Sequence, residues 1–125
     1  MRARPAITLL AVLLTGCAAG ATAGGSGGRP RLFRISGAAL AGPKTIEVRF
    51  EQGYVPCYGK LGHVAVRPGD DRVTVTLHRT YPKPPDPHRM CAQFQVVKTT
   101  RVHLHAPLAG RTLIDGSTGK PVPLH

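Results

Sequence analysis

The residue pattern predicts an all-β domain, a small β-sandwich of immunoglobulin-like type, with a small β-barrel as the alternative. Two observations carry this. Apolar residues recur with a period of two, and turn-forming residues separate the runs at short, regular intervals. No window of eleven residues beyond the amino-terminal segment carries a helical apolar stripe free of Gly or Pro, so little or no helix is expected.

Taken in order, Arg31–Ser36 opens the set of expected strands. In Lys44–Glu51, Ile46, Val48 and Phe50 alternate with polar residues. A strand near Gly62–Arg67 is joined to Arg72–Arg79 through Pro68-Gly69-Asp70-Asp71, a hairpin in form, with Val73, Val75 and Leu77 as the apolar set of its second arm. Tyr81 to His88 holds Pro82, Pro84, Pro85 and Pro87, which removes ladder donors and predicts an extended loop. Ala92–Val97 and Arg101–His105 are read as further strands, the latter with Val102 and Leu104 inward. Asp115-Gly116-Ser117-Thr118-Gly119 is expected to join Arg111–Ile114 to Lys120–Leu124 as a second hairpin. Seven or eight strands result.

These strands occupy residues 29–125, 97 of the 125 in the chain. That length allows one thin-cored domain, of a size that often leans on a disulfide when exported. Residues 1–16 read as something else. Arg2 and Arg4 precede an apolar run from Ala6 to Leu14, the layout of an export signal, and the run falls short of the roughly 20 residues a membrane-spanning helix needs. Leu14-Thr15-Gly16-Cys17 follows and resembles the lipobox of bacterial lipoproteins. That resemblance implies that Cys17 becomes the first residue of the mature chain, its thiol carrying a diacylglyceryl group with palmitate-type chains. Two acyl chains hold stably where one holds marginally. The alternative is an ordinary signal cut near Ala18-Ala19 or Ala21-Thr22-Ala23. Residues 17–28, the cysteine and an AAGATAGGSGG stretch, read as a tether of small uncharged residues reaching on the order of 15–20 Å.

Removing Arg2 and Arg4 from the seventeen basic residues leaves fifteen against six acidic ones, a net charge of +9. Such a balance serves solubility, or attracts an anionic partner: lipid headgroups, envelope polymers or an acidic envelope protein. Arg29-Pro30-Arg31-Leu32-Phe33-Arg34 reads as a basic stem close to headgroups. The same segment, with Tyr54, Tyr58 and Tyr81 as stacking rings, has the make-up of a nucleic-acid binder. Export to the far side of the membrane argues against that partner.

With Cys17 lipidated, Cys57 and Cys91 remain as an even pair, expected as a structural disulfide. Closing a loop of 34 residues contributes about 4 kcal/mol in the chain-entropy model.

The order Cys57, Val73-Thr74-Val75-Thr76-Leu77, Cys91, Val102-His103-Leu104 with Ala106-Pro107-Leu108, then Arg111-Thr112-Leu113-Ile114-Asp115-Gly116 resembles small uncharacterised lipoproteins of actinobacterial type. The likeness covers most of residues 55–123 and rests on strand and turn patterns plus two cysteines. It implies an exported β domain with one disulfide. It implies no activity.

For chemistry, His103 and His105 lie two apart on one strand face, about 6.5–7 Å from each other, and His78 falls on the polar face of its own strand. Those three would hold zinc or copper if they converged; otherwise they are exposed histidines. Catalytic residues are not expected. Ser36 and Ser117 sit in no nucleophile elbow. Asp70 and Asp71 are adjacent in a turn rather than facing across a cleft, and Asp115 and Ser117 suit a turn that bonds its own backbone. Gly116-Ser117-Thr118-Gly119-Lys120 lacks phosphate-loop spacing, since Pro121 stands where a hydroxyl is required. No cofactor beyond the covalent lipid is expected. Tyr54 and Tyr58 are expected near the proline loop beginning at Tyr81, drawn together by the cysteine pair, as a partner surface or as cover for the core. The expected role is therefore a lipid-anchored, extracytoplasmic binding module at the cell membrane. A metal-binding lipoprotein and an envelope enzyme without a recognisable motif are the alternatives. Oligomeric state is not legible.

Overall fold

The computed structural model describes residues 29–125. The signal segment, the lipidation site at Cys17 and the tether over 17–28 lie outside the described residues. The described chain runs β1 (Leu32–Phe33), β2 (Ile35–Gly42), β3 (Thr45–Gln52), a single helical turn α1 (Val55–Tyr58), β4 (Lys60–Pro68), β5 (Arg72–Thr80), β6 (Val96–His103) and β7 (Thr112–Asp115).

The strands form two sheets that face each other without closing into a barrel. In the first, β4 and β5 pair antiparallel through the expected hairpin, whose turn is closed by the Gly69 amide donating to the Arg72 carbonyl at 2.7 Å. The other edge of β5 is shared. β1 pairs antiparallel with its carboxyl half, and β7 pairs parallel with its amino half. The second sheet is β2-β3-β6, antiparallel throughout. The chain changes sheets at Arg34, between β1 and β2.

Strand alternation supplies the core. Ile46, Val48 and Phe50 of β3 and Val73, Val75 and Leu77 of β5 are all buried and meet across the sandwich with Phe33, Ala38, Val102, Leu104 and Leu113. Phe33 of the first sheet and Phe50 of the second place their ring centroids 4.8 Å apart. A tilted aromatic pair of this kind contributes about 0.5–1.5 kcal/mol beyond its buried area.

Four expectations need correction. The strands expected over Ala92–Val97 and Arg101–His105 are one continuous strand, β6, which ends at His103. Ala92–Gln95 forms no strand, and β6 begins at Val96. Lys120–Leu124 is not a strand either: Pro121 and Pro123 cannot donate to a ladder, so the segment makes only the bridges Ile114 to Pro121 and Ala38 to Leu124. Through them it joins the edge of β7 to the edge of β2. Finally, the strand expected over Arg31–Ser36 divides at the sheet switch, and its second part runs on to Gly42.

Cys57 and Cys91 are disulfide-bonded, with Cα atoms 5.9 Å apart. The bond ties α1 to the end of the proline loop, at one end of the sandwich rather than through its core.

Candidate binding cleft

The continued alternation of β5 puts Arg79 on the same face as Val73, Val75 and Leu77. Its guanidinium lies over the Phe33 ring, 4.0 Å from the centroid. Nε donates to the Leu32 carbonyl at 2.9 Å and Nη1 to the Tyr58 carbonyl at 2.7 Å. Two backbone acceptors and a ring face thus hold the side chain in one orientation, which lowers the entropy lost when a planar donor fork meets an anion.

Two adjoining hollows open around this group, of about 510 and 490 Å³. Both are lined by Glu51, Arg79 and Gln95. The first extends over Arg34, Asp115 and Lys120, and the second over Pro30, Tyr58 and Phe94. Arg34 and Lys120 are exposed, so they meet solvent at the rim, while Arg79 sits deeper. The arrangement sets three cations, the fixed Arg79 and the exposed Arg34 and Lys120, beside the exposed Glu51 and the buried Asp115, so an anionic group is drawn to the Arg34 and Lys120 rim, with the Gln95 amide nearby.

Asp115 is buried to 2% exposure at the floor of the first hollow. Its Oδ2 accepts the Ile35 amide at 3.0 Å and its Oδ1 the Ser117 amide at 2.8 Å. The second bond is the local turn expected for Asp115 and Ser117. The first, across the sandwich to the sheet switch, was not foreseen. The Ser117 hydroxyl is buried without a partner among the described residues.

The histidines separate. His78 belongs to β5 and stacks on His63 of β4, with centroids 4.0 Å apart and planes within 9°. His103 belongs to β6 in the other sheet, where its Nδ1 lies 3.3 Å from the Thr45 hydroxyl, and His105 follows beyond the strand end. The expected trio does not converge, because periodicity places each histidine on a polar face while the sheet assignment puts those faces on opposite sides of the molecule. Among the described residues, no three His, Cys, Asp or Glu side chains gather as a metal would require.

The tyrosines stay together at the disulfide end, as expected: Tyr54 and Tyr58 bound α1, and the Tyr81 ring lies against Gly59, which follows Tyr58. Tyr54 meets Phe94 edge-on at 6.3 Å, and the Tyr58 carbonyl is bound by Arg79. Tyr81 carries the Arg29 guanidinium over its ring at 4.4 Å and donates its hydroxyl to the Pro30 carbonyl at 2.7 Å. Arg29 also donates to the Lys83 carbonyl at 2.8 Å, so the expected basic stem is folded back onto the proline loop. Phe33, read as an aromatic between arginines, is in the core.

Arg79 has a signal in the sequence, since it continues the Val73, Val75, Leu77 alternation one step further. Gln95 and Lys120 carry no such signal, since the cleft is assembled from segments distant in sequence.

Comparison with known proteins identifies no family. No protein-family model, curated protein or solved structure matches the chain.

Proposed function

We propose that the protein is a lipid-anchored, extracytoplasmic binding module of the bacterial cell envelope that recognises a carboxylate- or phosphate-bearing ligand and performs no chemistry on it. The observation that carries the reading is Arg79, locked by the Leu32 and Tyr58 carbonyls and shared by both hollows. The signal-like segment and the Leu14-Thr15-Gly16-Cys17 motif support the anchor. The Cys57–Cys91 bond supports an oxidising compartment. Binding is favoured over catalysis by the state of Asp115, the one buried carboxylate of the cleft, whose two oxygens are committed to backbone amides that hold the fold together.

The test is a titration of residues 29–125 with soluble anionic envelope fragments, wall peptides bearing free carboxylates and phosphate-containing wall polymers, followed by amide NMR. Shifts gathered at Arg34, Gln95 and Lys120, and lost in the Arg34→Glu, Lys120→Glu double variant, are expected. Saturable shifts elsewhere, unaffected by that variant, would exclude the cleft as the site.

A further inference from the structure

The end of the sandwich that carries the disulfide differs from the other end in three ways. The described chain begins there, with Arg29 seated on Tyr81 and bonded to the Lys83 carbonyl. Basic residues gather there: Arg29, Arg31, Lys60, Arg79, Lys83 and Arg89 against Glu51 and Asp86. At the opposite end, around the β4–β5 turn, Lys44, Arg67, Arg72, Arg101 and Arg111 stand with Glu47, Asp70 and Asp71. The loop over 81–91 also presents Met90, which is 90% exposed between Arg89 and Cys91. An exposed thioether chain next to Arg89, at an end rich in cations, has the mixed apolar and basic make-up of a segment that enters the headgroup layer of an anionic membrane.

We propose that this end is the face on which the domain rests against an anionic lipid surface, with Met90 inserted among the headgroups and the Pro68–Arg72 turn directed away. The inference rests on the lipid-anchor reading. The eleven residues between Cys17 and Arg29 reach on the order of 15–20 Å, so an anchored domain can turn this end to the bilayer or stand clear of it. The cations decide between these, because anionic headgroups attract them within a screening distance of about 8 Å at physiological salt. The four prolines, and a turn in which the Arg89 amide donates to the Asp86 carbonyl at 3.1 Å, leave the loop little conformational freedom to lose on insertion. β4 and β5 hold the far turn about 27 Å away, at 3.3 Å per residue.

The sequence has no tryptophan, so Met90→Trp and Asp70→Trp each create a single fluorescent reporter, both at exposed positions. The processed, acylated chain is placed in phosphatidylcholine vesicles with or without phosphatidylglycerol, each containing brominated acyl chains. In the phosphatidylglycerol vesicles the Met90→Trp emission is expected to shift blue and be quenched, while Asp70→Trp emission is unchanged. High salt, or Lys60→Glu with Lys83→Glu, restores the Met90→Trp emission. A protein that floats with the vesicles but shows equal emission from both reporters overturns the proposal and leaves the anchor standing. One that does not float overturns the anchor and the proposal together. Emission that responds to a soluble anionic wall polymer and not to lipid assigns the face to the polymer instead, and the lipid proposal falls.

Discussion

The Asp115 carboxylate accepts the Ile35 amide at 3.0 Å, joining positions 80 residues apart at the point where the chain passes from one sheet to the other. Ile35 is the first residue of β2, so its N–H has left the first sheet at β1 and is buried at the crossing. Without Asp115 that donor would have no acceptor. One side chain at the end of β7 thereby fixes the register of the sheet switch and the floor of the cleft together.

Removal of the carboxylate should therefore be costly. Asp115→Ala leaves the Ile35 and Ser117 amides without their acceptor, and we expect a loss of about 3 kcal/mol in urea unfolding, the range for bonds to charged groups. Asp115→Asn keeps one acceptor oxygen and should lose less. A change within about 0.5 kcal/mol, as for ordinary surface substitutions, would contradict the role given to Asp115.

Arg79 holds the Leu32 and Tyr58 carbonyls from its Nε and Nη1. Lysine carries the charge but not the fork, so Arg79→Lys should lower stability by about 1–2 kcal/mol through the lost bonds and weaken anion binding in the cleft. Equal affinity in the Arg79→Lys protein would show that charge alone suffices and that the fixed orientation is irrelevant.

Gly116 packs against β5, its amide donating to the Val75 carbonyl at 2.8 Å. A Cβ at this position falls onto the Thr76 hydroxyl and within 2.9 Å of its Cβ. Gly116→Ala should cost about 1–3 kcal/mol by overpacking. Adding Thr76→Ala removes the hydroxyl, so the double variant should recover part of that loss. Strict additivity of the two would mean the residues are not in contact.

The Cys57–Cys91 bond closes a loop of 34 residues that includes the β4–β5 hairpin and the proline loop. Cys57→Ser with Cys91→Ser should reduce stability by about 4 kcal/mol, and a reductant should lower the Tm of the native protein but not of the double variant. A reductant effect that persists in the double variant would place the sensitivity elsewhere.

The strands that sequence revealed most clearly are those whose side chains alternate in kind. Val73, Val75 and Leu77 against threonines, and Ile46, Val48 and Phe50 against charges, mark both face and extent. β2 beyond Ser36 was hidden because Gly37 to Gly42 is built of small residues and one leucine, and its central core contribution, Ala38, has no bulk to signal burial. The false strand at Ala92–Gln95 arose from apolar and aromatic residues that proved exposed, Phe94 at 49% among them. At the site the same logic holds. Periodicity gave each histidine its polar face but not its sheet, so the separation of His78 from His103 required the topology. The Asp115 to Ile35 bond and the cleft around Arg79 depend on contacts between distant segments, which no local pattern encodes.

The anchor is tested most directly by intact-mass and tandem mass spectrometry of the processed protein from its native membrane. A mature chain beginning at Cys17 and carrying a diacylglyceryl group on its sulfur is expected. A chain that begins after Cys17, or one whose cysteine bears no lipid, would contradict the reading of this protein as a membrane-anchored envelope module.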